Sequence, residues 1–225
     1  LISSFVESLR EKPTKNLFNP WFECDTQHDE DHRAPEIRRR QLENYLADRY
    51  SSAKYLMIAE ALGYQGGHFT GIAMTSERIL LGHQIKKYGI LPQHVFKNAA
   101  PIRTSRREIV KHGMTEPTAT IMWGALIDLG IDPYQVVLWN AVPWHPYKKK
   151  KGLLSNRTPT VTEMTAGLTH LKSFLSLFDD ADLVAIGRKC EQSLSQLDED
   201  FISVRHPANG GATIFRNQIK ELMSP

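Results

Sequence analysis

Four short apolar runs constrain this chain more than any other feature: Tyr55-Leu56-Met57-Ile58, Val136-Val137-Leu138-Trp139, Leu183-Val184-Ala185-Ile186 and Phe201-Ile202-Ser203-Val204. Each is bounded by polar residues or by glycine and proline. A strand with one face in water alternates apolar with polar residues, whereas a strand covered on both faces reads as a continuous apolar run. Between and before the runs lie stretches of helical period. Residues 35–50 place Ile37, Leu42, Tyr45 and Leu46 on one face, residues 117–129 do so with Ile121, Met122, Leu126 and Leu129, and residues 161–178 are rich in leucine at helical spacing. Strands alternating with helices imply a layered α/β domain with right-handed crossovers. The expected fold is a three-layer α/β/α sandwich around a mainly parallel four-stranded sheet. It forms a single domain over residues 1–225, with 1–34 an irregular N-terminal extension and 35–225 the core.

A hydrophobic content of 41% is enough for such a core. No apolar run approaches the roughly 20 residues that span a bilayer. The first ten residues are amphipathic and do not resemble a signal peptide. Cys24 and Cys190 are the only cysteines, too few for a disulfide framework or a cysteine-held cluster, which suits a reducing cytoplasm. Cys24, His28 and His32 have a spacing that could serve zinc, with Asp25, Asp29 and Asp31 interleaved. The segment is acidic and lacks a clear fourth soft ligand, so it reads as a flexible, solvated loop; no metal and no cofactor are expected. A net charge of +3 permits a polyanionic partner without demanding one.

In an open parallel sheet, ligands bind at the carboxyl ends of the strands. Polar or glycine-rich punctuation follows all four runs: Ala59-Glu60-Ala61-Leu62-Gly63, then Asn140-Ala141-Val142-Pro143-Trp144-His145-Pro146, then Gly187-Arg188-Lys189, and last Arg205-His206-Pro207-Ala208-Asn209-Gly210-Gly211. The chemistry is therefore expected at that edge. EALGYQGGHFTGIAMTSE at 60–77 resembles the first motif of the uracil-DNA glycosylase superfamily, in particular its Gly-Glu-Ala-Pro-Gly branch. It is also similar to the single-strand-selective monofunctional uracil glycosylases. LWNAVPWHP at 138–146 resembles the strand that ends in a uracil-reading Asn, and VRHPANGG at 204–211 is similar to the superfamily's closing His-Pro motif. Ala59, Leu62, Ala73 and Met74 depart from the branch pattern, and Ala61 stands where some branches carry an activating Asp or Asn.

The resemblance implies a hydrolase of DNA repair that flips out uracil, or a related damaged pyrimidine, and cuts its glycosidic bond. His206 would donate to the leaving base, and Glu60 would orient water or stabilise the sugar cation. Asn140 would read the base through a donor–acceptor pair that cytosine cannot match. Gly63 would line the base site, with Phe69 or Met74 as the stacking wall. Lys148, Lys149, Lys150 and Lys151, Arg188 and Lys189, and Asn209 and Gly210 are the expected DNA contacts. With no lysine nucleophile evident near the motifs, a monofunctional, monomeric enzyme without lyase activity is expected. A catalytically weak nucleic-acid-binding protein that keeps the fold is the alternative.

Overall fold

All four apolar runs enter one sheet. The computed structural model describes residues 1–223. In chain order its elements are α1 (Ile2–Ser8), β1 (Leu17–Phe18), α2 (Ala34–Ala47), β2 (Tyr55–Ala61), α3 (Gly67–Thr70), α4 (Glu77–Leu80), α5 (Ile85–Tyr88) and α6 (Pro117–Asp128). There follow β3 (Val136–Val142), β4 (His145–Pro146), α7 (Val161–Leu175), β5 (Asp182–Ile186), α8 (Arg188–Gln196), β6 (Ile202–Val204) and α9 (Ala212–Met223). The sheet runs β3-β2-β5-β6 with every pair parallel. Helices on its faces, α7 and α8 against β3 and β5 and α9 against β6, make the three-layer sandwich. No described helix is long and apolar enough to cross a membrane.

Continuous apolar character translates into burial in the middle of the sheet but not at its edge. Strand β3 is buried throughout, whereas β6, with a neighbour on one side only, exposes Ile202 at 44%. Strands β2 and β3 also run past their apolar runs. Parallel pairing continues through Ala59 opposite Asn140 and Ala61 opposite Val142, so Glu60 and Asn140 lie within strands rather than in the loops beyond them.

Residues 1–34 are not the irregular extension that their composition suggests. Helix α1 packs on α2 and buries Phe5 and Val6, with Leu9 fully buried just after it. Trp21 is fully buried, stacks on Trp139 at 5.6 Å and donates its indole N–H to the Gly71 carbonyl at 3.2 Å. Strand β1 pairs antiparallel with β4. The segment lacks a long periodic element, yet isolated aromatic side chains from it complete the core.

The acidic stretch that follows is not a solvated loop either, because basic partners reach it from distant positions. Asp29 and Arg38 form a fully buried ion pair. Asp25 is bonded by His28 Nδ1 at 2.8 Å and His68 Nε2 at 3.0 Å, while the Cys24 thiol donates to the Asp31 carbonyl. His68 continues to His145, Nδ1 to Nδ1 at 3.1 Å, and His145 Nε2 meets the Ser155 carbonyl at 2.8 Å. Since a carbonyl only accepts, His145 Nε2 carries a proton and its Nδ1 accepts from His68. The His68–Asp25 bond then requires one more proton, which that pair shares. This buried chain fastens residue 25 to the loop after β2 and to β4.

Candidate active site

A cavity of about 550 Å³ opens at the carboxyl end of the sheet. Strand β2 delivers Ala59, Glu60 and Ala61 to it, the β5–α8 turn delivers Gly187, Arg188 and Lys189, and the segment after β6 delivers Arg205, His206 and Asn209. Glu60 is half-buried, and burial raises its carboxyl pKa above the usual range, an effect that the Lys189 ammonium partly opposes. His206 packs its Cβ 3.1 Å from where a side chain on Gly187 would begin, so only glycine fits beside it, with φ at 84°. The imidazole Nδ1 accepts the Ala208 backbone N–H at 3.1 Å. Burial, reinforced by the charge of Arg205, lowers the His206 pKa. The ring is therefore held neutral with its proton on Nε2, the tautomer that can donate into the cavity.

The loop between β2 and α4 owes its shape to buried polar bonds. Thr70 Oγ1 donates to the Thr75 carbonyl at 2.8 Å and accepts the Ile72 N–H at 3.1 Å. Gln41 donates to the Thr70 carbonyl, and Trp123 donates to Thr75 Oγ1. Buried Glu77 accepts N–H bonds from Thr104, Ser105 and Met114, which fastens the loop to residues 104–114. Held this way, Met74 adopts φ of 46° and borders the cavity.

The sequence matches the profile of the Uracil DNA glycosylase superfamily over residues 51–221. The chain belongs to that superfamily. No curated protein matches the sequence. Among solved structures, the crystal structure of wild-type SMUG2 from Pedobacter heparinus superposes with a TM-score of 0.60 at 11% identity, covering 98% of this chain and 96% of that one. At that identity the likeness speaks for the fold alone.

Within this superfamily member, several expected site residues lie elsewhere. Phe69 is fully buried against His68, with ring centroids 4.3 Å apart, and faces the core rather than the cavity. Helix α3 turns it inward, a consequence of three-dimensional packing that its neighbours in sequence do not reveal. Lys148 to Lys151 are exposed, with Lys149–Lys151 forming a 3₁₀ turn, and none of them lines the cavity. Gly210 stays outside while Asn209, at φ of 53°, reaches in. Asn140 is buried at 2% exposure beside Ala59, and its Oδ1 lacks a partner among the described residues.

Other cavity residues were not anticipated. Thr118 and Glu116 come from the start of α6, Asn156 and Arg157 from the segment before α7. Arg157 is fixed by two bonds to Glu163, at 2.6 and 2.7 Å, and by the Tyr147 and Asn16 carbonyls. Glu163 in turn closes a capping box with Thr160 at the start of α7. That Thr-x-x-Glu spacing, and the proline at the first position of α6, were the signals in the sequence that could have drawn attention to residues 157 and 116. Lys189 also corrects the expectation that no lysine lies near the motifs.

Proposed function

We propose that this chain is a monofunctional DNA glycosylase that flips out uracil, or a related damaged pyrimidine, and hydrolyses its glycosidic bond. The observation that carries the reading is the convergence of Glu60 and a neutral, Nε2-protonated His206 on one cavity at the carboxyl end of the parallel sheet. Breaking the C1′–N1 bond leaves negative charge on the base and positive charge on the sugar. A fixed imidazole N–H aimed at the base stabilises the first without reorganising, and a carboxylate stabilises the second or holds the attacking water.

Asn140 stands one strand away from Glu60 with an unpaired buried carbonyl oxygen, an acceptor suited to the N3–H of uracil. Arg157, Arg188, Lys189 and Arg205 give the rim a concentration of positive charge that suits the phosphates flanking an extruded nucleotide. The free amides at the starts of α6 and α8 add to it. Lys189 serves here as a charge beside Glu60, and the reaction ends at an abasic site.

Incubation with uracil-containing single- and double-stranded oligonucleotides, followed by alkaline cleavage, tests the reading. Strand breaks that appear only after alkali are expected. Borohydride should trap no covalent adduct. Oligonucleotide binding without product would instead favour a binding protein on this fold.

A further inference from the structure

Between Gly63 and Gly66 the loop after β2 leaves a hollow that it cannot fill itself. The carboxyl group of Glu116 occupies that hollow, so closely that a Cβ on either glycine would collide with it. Glu116 precedes α6, where its extended backbone and Pro117 at the first helical position direct the chain into the helix. The same carboxyl borders the cavity shared by Glu60 and His206, and its buried Oε2 has no hydrogen-bond partner among the described residues. Burial pushes the Glu116 pKa up to about 7, with no cation close enough to oppose it. A carboxyl that keeps its proton offers an O–H donor beside a C=O acceptor. Those two groups complement the adjacent C=O and N–H of a lactam.

We propose that Glu116 determines specificity in the pocket by pairing its carboxyl O–H and C=O with the adjacent C=O and N–H of a lactam-edged base such as uracil. The proposal rests on the glycosylase reading for the identity of the ligand. Once ionised, the carboxylate loses its donor and turns an oxygen charge on the base carbonyl, so recognition weakens as pH rises.

The other titratable groups on this cavity are Glu60 from β2, Arg157 from the segment before α7, Arg188 and Lys189 from α8, and Arg205 and His206 after β6. Helix α6 brings no acid in its first turn. His206 has a lowered pKa and is already neutral near pH 7, while the arginines and the lysine stay charged there. Glu60 has a raised pKa of its own, so a Glu116 variant has to separate the two acids.

The test is binding of the whole chain to an oligonucleotide carrying one 2′-fluoroarabino-uridine, whose bond resists cleavage, against the same strand carrying an abasic analogue. Wild-type preference for the uracil strand should fall by about tenfold to thirtyfold between about pH 6 and about pH 8.5, following the neutral fraction of an acid titrating near 7. Glu116→Gln keeps a donor and an acceptor, and should keep the preference without its pH dependence. Glu116→Leu should lose the preference at every pH while binding the abasic strand normally. A wild-type profile as flat as that of Glu116→Gln, or a preference retained by Glu116→Leu, overturns the proposal; should Glu116→Leu fail to fold, the Glu116→Gln profile decides alone. Excision assays on a uracil strand separate the two failures. A Glu116-dependent preference without excision sinks the glycosylase reading only, and excision without that preference sinks the role of Glu116 only.

Discussion

Gly211→Ala examines whether the turn after β6 is what holds His206 in its donating position. A Cβ at this position would collide with the His206 carbonyl oxygen, and would stand 3.1 Å from the Ala208 carbonyl oxygen and 3.2 Å from Arg205 Cγ. Two of these obstacles are backbone atoms, so no rotamer change relieves them and the turn has to open. Two hydrogen bonds close it, Gly211 N–H to the Ala208 carbonyl and Ala208 N–H to His206 Nδ1, each at 3.1 Å. At about 0.5–1.5 kcal/mol each, their loss costs about 1–3 kcal/mol. Replacing a glycine stiffens the unfolded chain and returns about 0.4–1 kcal/mol. The net loss of about 1–2 kcal/mol corresponds to a Tm lower by about 2–8 °C for a chain of this length.

The effect on rate should be larger, because a shift of about 1 Å in a positioned group costs about a hundredfold. Single-turnover excision at saturating enzyme, with thermal melts of the same samples, measures both. Gly210→Ala is the matched control. Its Cβ meets nothing within 4 Å, although φ of 76° strains it by about 1 kcal/mol or more. It should lower Tm and leave the rate nearly intact. A Gly211→Ala rate within a few-fold of wild type, or equal rate losses in both variants, would refute the reasoning.

Three further outcomes follow from the electrostatics. Removing the charge in Lys189→Met should raise the Glu60 pKa further and move the acid limb of the excision profile to higher pH; an unmoved limb would show that Glu60 is not the group that titrates there. The Glu163 pKa lies below the ordinary glutamate value: burial pushes it up, but bonds from Arg157 and Thr160 outweigh that. Its stabilisation is therefore present above the unfolded value and lost as pH falls through the lower folded one, and melts across this acid range should show that loss in wild type but not in Glu163→Gln. Neutralising Lys148, Lys149, Lys150 and Lys151 together should flatten the salt dependence of DNA binding, by up to about 0.9 in the log–log slope for each phosphate no longer neutralised. The excision rate of bound DNA should not change, and an unchanged slope would reduce the run to a solvated surface.

The sheet was legible because apolar continuity and helical period are local properties. Tyr55–Ala61 and Val136–Val142 announce themselves within a few residues, and what lies at their carboxyl ends follows from the parallel topology. Glu60 and His206 could be placed on that ground together with the family motifs. What remained hidden depended on partners far away in the chain. Asp29 reads as a solvated acid until Arg38 is seen buried against it, and residues 1–34 read as irregular until Trp21 is seen stacked on Trp139. Phe69 had the residue type of a base-stacking wall but the position of a core side chain, which only the turn of α3 decides. The lysine run was conspicuous by composition, whereas Arg157 reaches the cavity because Glu163 and two carbonyls hold it there.

The central claim is that a neutral His206 and the Glu60 carboxyl act on a flipped nucleobase at this cavity. Single-turnover release of free uracil from a uracil-containing strand, compared between wild type and His206→Ala, tests it most directly. The account predicts uracil and an abasic site from wild type, and a release rate lower by about two to three orders of magnitude in the variant, as for the loss of one preorganised donor. Fold and oligonucleotide affinity should be preserved. A His206→Ala enzyme that releases uracil at nearly the wild-type rate would contradict it.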